Sequence, residues 1–133
     1  MSSEPAYSSA STTVATEGLC EVAYVDEVAV AASKQALPVL QDLRSMADAL
    51  KVLANPSRLA LLFGLREREL CVCDCAQLVN LSVPATSQHL KQLRQLGAIT
   101  YRQDGKMAYY RIANITWVGL GDLVQAGLRR APK

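Results

Sequence analysis

The sequence predicts a mainly α domain carrying a small β-hairpin wing, the arrangement of a winged helix-turn-helix, and three observations point to it. Two short helical patterns meet at Asn80, a residue suited to a left-handed turn. The second pattern is polar along its outer face and has basic residues around it. An Asp-Gly turn between two runs rich in Ile, Thr and Tyr follows directly, as a tight hairpin requires.

Residues 1–18 are rich in Ser, Thr and Ala with little to bury, and read as a disordered tail. Residues 19–35 read as an N-terminal arm that contains Cys20 and a short helix from Val25 onward, and residues 36–130 as the DNA-binding and dimerisation domain. After Pro38, Leu40, Leu43, Ala47 and Leu50 recur at spacings of three and four, which predicts a helix ending at Asn55-Pro56. Asn55 caps a second helix with Pro56 in its first position; Leu59, Leu62, Phe63 and Leu65 follow, and the pattern runs out at Arg66-Glu67-Arg68-Glu69. A third helix spans Val72 to Val79, with Val72, Cys75, Ala76 and Val79 on its apolar face. Ser82 caps a fourth, in which Val83, Thr86, Leu90 and Leu93 face inward, and Gly97 stops it. Ala98–Arg102 and Met107–Ile112 read as strands around the turn Gln103-Asp104-Gly105-Lys106. The last helix, from Asn114 to about Arg130, is apolar on most sides, so a homodimer with the first and last helices of the domain at its interface is expected.

Composition excludes several classes. Half of the 133 residues are apolar and 20% charged, as in a folded soluble domain. No apolar run approaches the ~18–20 residues of a membrane span, and the first residues lack a signal-peptide profile, so a cytoplasmic protein without membrane partners is expected. The net charge of +2 says little, but its distribution says more. Residues 1–88 carry six Lys/Arg against ten Asp/Glu, whereas residues 89–111 carry five against one. A basic block on an acidic chain points to a local anionic partner.

A helix in the major groove reads bases with short polar side chains and grips phosphates with Lys and Arg. Ser87 and Gln88 stand where base edges would be met, and Pro84 offers apolar contact to a thymine methyl. Lys91, Arg94, Arg102 and Lys106 suit phosphates, the last two from the wing. His89 shares the reading helix, where an ordinary or phosphate-contacting role fits better than a metal one.

Four cysteines in such a chain suggest metal binding or burial rather than disulfides. Within a regular helix Cys71 and Cys73 would point about 160–200° apart. They can converge if Cys71 lies at or just before the N-cap, where the backbone is not yet helical; the helix N-terminus also favours thiolate. Thiolates select soft ions such as Cd(II), Pb(II), As(III) or Zn(II). Cys20 is either a third ligand brought by the arm or a free cysteine. Cys75 is either a further ligand or a small core residue on the apolar face. A thiol enzyme would need an oriented base beside its nucleophile. The sole histidine lies on the reading helix and no Cys-x-x-Cys is present, so an enzyme is not expected.

From Leu50 to about Ile112 the stretches LKVLANPSRLALL, ELCVCD, SQHLKQLRQLGAI and YRQDGKMAYYRI resemble the ArsR/SmtB family of metal-responsive repressors. The segment LCEVAYVDE further resembles the N-terminal arm of that family's CadC-type cadmium/lead sensors. The resemblance implies Cys20, Cys71 and Cys73 as ligands, with the arm cysteine joining the other two from the partner protomer. It also implies a metal-free dimer that binds a palindromic operator and leaves it on capturing Cd(II) or Pb(II), freeing a resistance or efflux gene. Three departures stand out. CadC-type arms usually hold a second cysteine where this chain has Tyr24. The arsenic sensors place a third cysteine where this chain has Ala76, one position after Cys75. The family's second site, on the last helix, uses Asp and His where this chain has Asn114 and Thr116, so that site is expected to be lost. A repressor of the same fold answering to As(III) or Sb(III), or to thiol oxidation or reactive sulfur, is the alternative.

Overall fold

The computed structural model describes residues 18–130, in two units divided after Pro38. The tail expected over 1–18 lies, but for Gly18, outside the described residues. In the first unit, helix α1 (Glu27–Ala36) starts at Asp26, whose carboxylate accepts from the Ala29 amide at 3.0 Å. Glu27 in its first turn and Lys34 in its last oppose the helix dipole favourably, and α1 buries no residue.

The second unit runs from Val39 through helices α2 (Leu40–Leu53), α3 (Pro56–Glu67), α4 (Val72–Val79), α5 (Val83–Leu96) and α6 (Thr116–Arg130). Capping residues place most of these boundaries. Asn55 Oδ1 accepts from the Arg58 amide at 3.1 Å at the start of α3, and Ser82 Oγ from the Ala85 amide at 3.2 Å at the start of α5. Asn80 ends α4 at φ 56°, ψ 48°, and Gly97 ends α5 at φ 86°, a conformation that costs glycine little. Helices α4 and α5 thus form the expected helix-turn-helix.

Three strands complete the unit: β1 (Leu70–Cys71), β2 (Ile99–Asp104) and β3 (Met107–Ile112), antiparallel in the order β1-β3-β2. Strand β1 was not foreseen; two residues carry no alternation, and they are extended because Leu70 pairs with Tyr110 and Cys71 with Tyr109. Strand β2 also starts one residue later and ends two residues later than expected. Asp104 pairs with Met107, so the turn residues are Gly105-Lys106 rather than Asp-Gly, with Gly105 at φ 63° in the first central position.

Leu61, Leu62 and Leu65 of α3, Cys75 of α4, Leu90 and Leu93 of α5, Ile99 and Val118 form the core. Thr86 is buried among them and donates to the Ser82 carbonyl at 2.8 Å, which offsets its desolvation. Val83 departs from its expected inward position. It is the first residue of α5, at the tip of the turn, and is 41% exposed because no packed layer reaches that end. Helix α6 buries only Val118, while Leu123, Val124 and Leu128 lie exposed. With Leu50, Leu59, Phe63 and Leu120 the last two line an apolar groove between α2, α3 and α6. Among the described residues no helix is long and apolar enough to cross a membrane.

Candidate nucleic-acid interface and thiol site

Because Thr86, Leu90 and Leu93 anchor α5 to the core, the opposite face of that helix is fixed outward. Pro84, Ser87, Gln88, Lys91 and Arg94 are all exposed there. Lys106 stands exposed at the hairpin tip. The Arg94 guanidinium lies 5.1 Å from the centre of the Tyr101 ring, and Tyr101 stacks on Tyr110 at 5.3 Å. That stacking holds the cation beside the wing without neutralising it. His89 is half-buried: its Nδ1 accepts from Arg58 Nε at 3.1 Å, and Arg58 also donates to the Val52 carbonyl at 3.0 Å. The histidine therefore braces α5 against α3 and the end of α2.

Arg102, expected to be a free phosphate ligand, is engaged within the protein. Its Nη2 lies 3.0 Å from Glu69 Oε1, its Nη1 lies 3.7 Å from Asp104, and the guanidinium sits 4.9 Å from the centre of the Tyr109 ring. The hydrogen bond from Arg102 holds the Glu69 carboxyl below its usual range, and the same bond raises the Arg102 pKa further. Sequence reasoning passed over Glu69, Tyr109 and Arg58. Glu69 stands inside the stretch ELCVCD, but nothing in one dimension marks a partner 33 residues away.

The thiols fall into distinct environments. Cys71 occupies the N-cap of α4 at φ −77°, ψ 170°, an extended backbone outside the helical spacing, and is buried. Cys73, in the first turn of α4, is exposed, as is Cys20 in the first unit. Cys75 is wholly buried in the core; that burial, then the neighbouring Cys71 and Asp74, pushes its pKa up to about 12. A thiol raised so far holds little thiolate, the form that reacts, at about pH 8. Iodoacetamide is accordingly expected to label Cys20 and Cys73 of the reduced native protein and to spare Cys75 until denaturant is added, as peptide mass mapping would read. Native labelling of Cys75 at the rate of Cys73 would contradict its core placement.

Among the described residues no three His, Cys, Asp or Glu side chains are gathered to hold an ion. Cys71 and Cys73 thus supply two soft donors at the start of one helix, and a thiolate site needs at least one more from elsewhere. At the second location considered, Asn114 Oδ1 accepts from the Thr116 amide at 3.0 Å, so its side chain serves the start of α6.

Comparison with known proteins bears on these features together. Residues 55–101 match the family model described as bacterial regulatory protein, arsR family. The chain is 38% identical over 106 residues to the cadmium resistance transcriptional regulatory protein CadC of Listeria innocua, covering 79% of this chain and 88% of that one. It is 40% identical over 75 residues to a transcriptional repressor SmtB homolog of Synechocystis, covering 56% and 57%. The solved homodimeric winged helix-turn-helix DNA-binding domain of a possible ArsR-family regulator from Mycobacterium bovis is similar at TM-score 0.61 and 29% identity, over 71% of this chain and 89% of that one.

Proposed function

Since this chain belongs to the ArsR family of bacterial regulatory proteins, we propose that it is a cytoplasmic, homodimeric repressor that leaves its operator when thiolates capture Cd(II) or Pb(II). Fold and relatives alike are those of transcriptional regulators, not enzymes. The observation that carries the metal reading is the placement of Cys71 at the extended N-cap of α4 with Cys73 exposed two residues on, in the first turn of the helix. A helix N-terminus lowers the cost of thiolate, and a cap residue escapes the helical spacing that would otherwise keep the two sulfurs apart. Cys20 supplies the third thiolate in this reading. The likeness to a cadmium resistance regulator, which extends over 79% of the chain, favours Cd(II) over Zn(II), and Pb(II) suits the same three soft thiolates. An As(III) site using Cys75 would require a residue that is wholly buried in the core.

On DNA, α5 enters the major groove with Ser87 and Gln88 at base edges and Pro84 beside them, while Lys91, Arg94 and Lys106 take phosphates. Metal at the start of α4 acts by favouring an arrangement of the two reading heads that fits the operator poorly. Reciprocity then requires DNA to weaken metal binding by the same factor. A coupling of ~3 kcal/mol corresponds to about a 150-fold loss of operator affinity.

The test is a titration of Cd(II), Pb(II), Zn(II) and As(III) into reduced protein bound to a fluorescent operator duplex, for the wild type and Cys20→Ser. The reading expects release by Cd(II) or Pb(II) in the wild type and its loss in the variant. Release by As(III) alone, indifferent to Cys20, would make the chain an arsenic sensor. Retention of DNA with every metal would leave an oxidant or reactive sulfur as the signal.

A further inference from the structure

Two cross-strand rows tie the wing to the segment that carries Cys71. In one, Leu70 of β1 pairs with Tyr110, and Tyr110 with Tyr101 of β2. In the other, Cys71 pairs with Tyr109, and Tyr109 with Arg102. Directly opposed residues share a face of a sheet, so the Arg102 guanidinium crosses over the Tyr109 ring toward β1. There the Glu69 carboxylate accepts from Arg102 Nε at 3.1 Å and lies 3.0 Å from Nη2. Nε also donates to the second oxygen, Oε2, at 3.3 Å, so the Nε–Nη2 edge that an arginine would offer a phosphate is turned to the carboxylate. Glu69 and a DNA phosphate therefore compete for the same donors.

We propose that Glu69 is an internal mimic of DNA phosphate that withholds Arg102 from the operator, making it a positioning residue that sets how many cations the wing presents. The proposal rests on the reading of the chain as an operator-binding dimer and is independent of which metal it senses. In the wild type Arg102 makes no phosphate contact, and the wing grips DNA through Lys106. Removing the Glu69 charge leaves Arg102 only the longer 3.7 Å pairing with Asp104 and the Tyr109 face, and so offers one more arginine per protomer to DNA, hence two per dimer.

Counterion release measures this directly, because each added phosphate contact steepens the fall of log affinity with log salt by about 0.9. The experiment uses reduced, metal-free full-length protein. Its probes are a fluorescein-labelled duplex selected by the wild type from a random library and a second duplex of arbitrary sequence. Glu69→Gln is expected to steepen the salt slope by about 1.8 on both duplexes and to tighten binding several-fold at low salt. Arg102→Gln alone is expected to leave the slope at its wild-type value. The double variant is expected to match Arg102→Gln, which separates release of the arginine from mere loss of a carboxylate. A slope that flattens in Arg102→Gln and does not move in Glu69→Gln would overturn the proposal, since Arg102 would already be on the phosphate. A wild type that enriches no duplex from the library and does not bind the arbitrary one would overturn the operator-binding reading and the proposal with it.

Discussion

Replacing Leu50 and Leu128 together by glutamate is expected to leave the chain folded, monomeric and at least ~100-fold weaker on its operator. The two side chains are 53% and 70% exposed within a single chain, so charging them costs the isolated fold little. Across a dimer the same charges meet a different environment. Leu50 and Leu128 line the groove between α2, α3 and α6, and two carboxylates buried there in each protomer would be desolvated without partners. A dimer binds two half-sites, and once one head is seated the second binds at high effective concentration, an advantage a monomer lacks. Sedimentation would report the mass, circular dichroism the fold, and fluorescence anisotropy the affinity. A doubly substituted chain that still sediments as a dimer would move the interface away from these helices.

Cys73→Ser should abolish metal-driven release while leaving metal-free operator binding within about twofold of the wild type. Cys73 is exposed in the first turn of α4 and packs nothing in the core, so serine preserves the shape and removes only the soft donor. Cys75→Ala should behave in the opposite way. The metal response should persist, and the truncation of a fully buried side chain should cost about 1–2 kcal/mol of stability. Anisotropy with added Cd(II), beside urea melts of both variants, distinguishes the two roles. Full metal response in Cys73→Ser would remove α4 from the effector site; loss of it in Cys75→Ala with the fold intact would make Cys75 a ligand.

The features legible in the sequence were those set by neighbours along the chain. Asn55-Pro56, Ser82, Asn80 and Gly97 each act on the backbone within four residues, and each marks a helix boundary in the structure. The burial of Cys75 followed from its spacing to Val72, Ala76 and Val79. Whatever depended on a distant partner was not legible. Strand β1 exists because β3 is there to receive it, and Arg102 is read as a free cation until Glu69 is placed beside it. The inward assignment of Val83 failed for a related reason: periodicity says which side of a helix faces in, not how far along the axis the core extends.

The position of Cys71 carries a consequence for how this protein can vary. Its amide side belongs to a strand and its carbonyl side opens a helix, so two rulers of different pitch meet at one residue. On the strand ruler, inserting a single residue between Leu70 and Cys71 would turn the thiol to the opposite face of the sheet. On the helix ruler, the same insertion after Cys71 would rotate Cys73 by about 100°. Substitution at neighbouring positions is cheap by comparison, because it alters neither phase. The length of the segment from Glu69 to Cys73 is thus more tightly constrained than its composition, and sequence drift here should proceed by exchange of side chains rather than by gain or loss of residues.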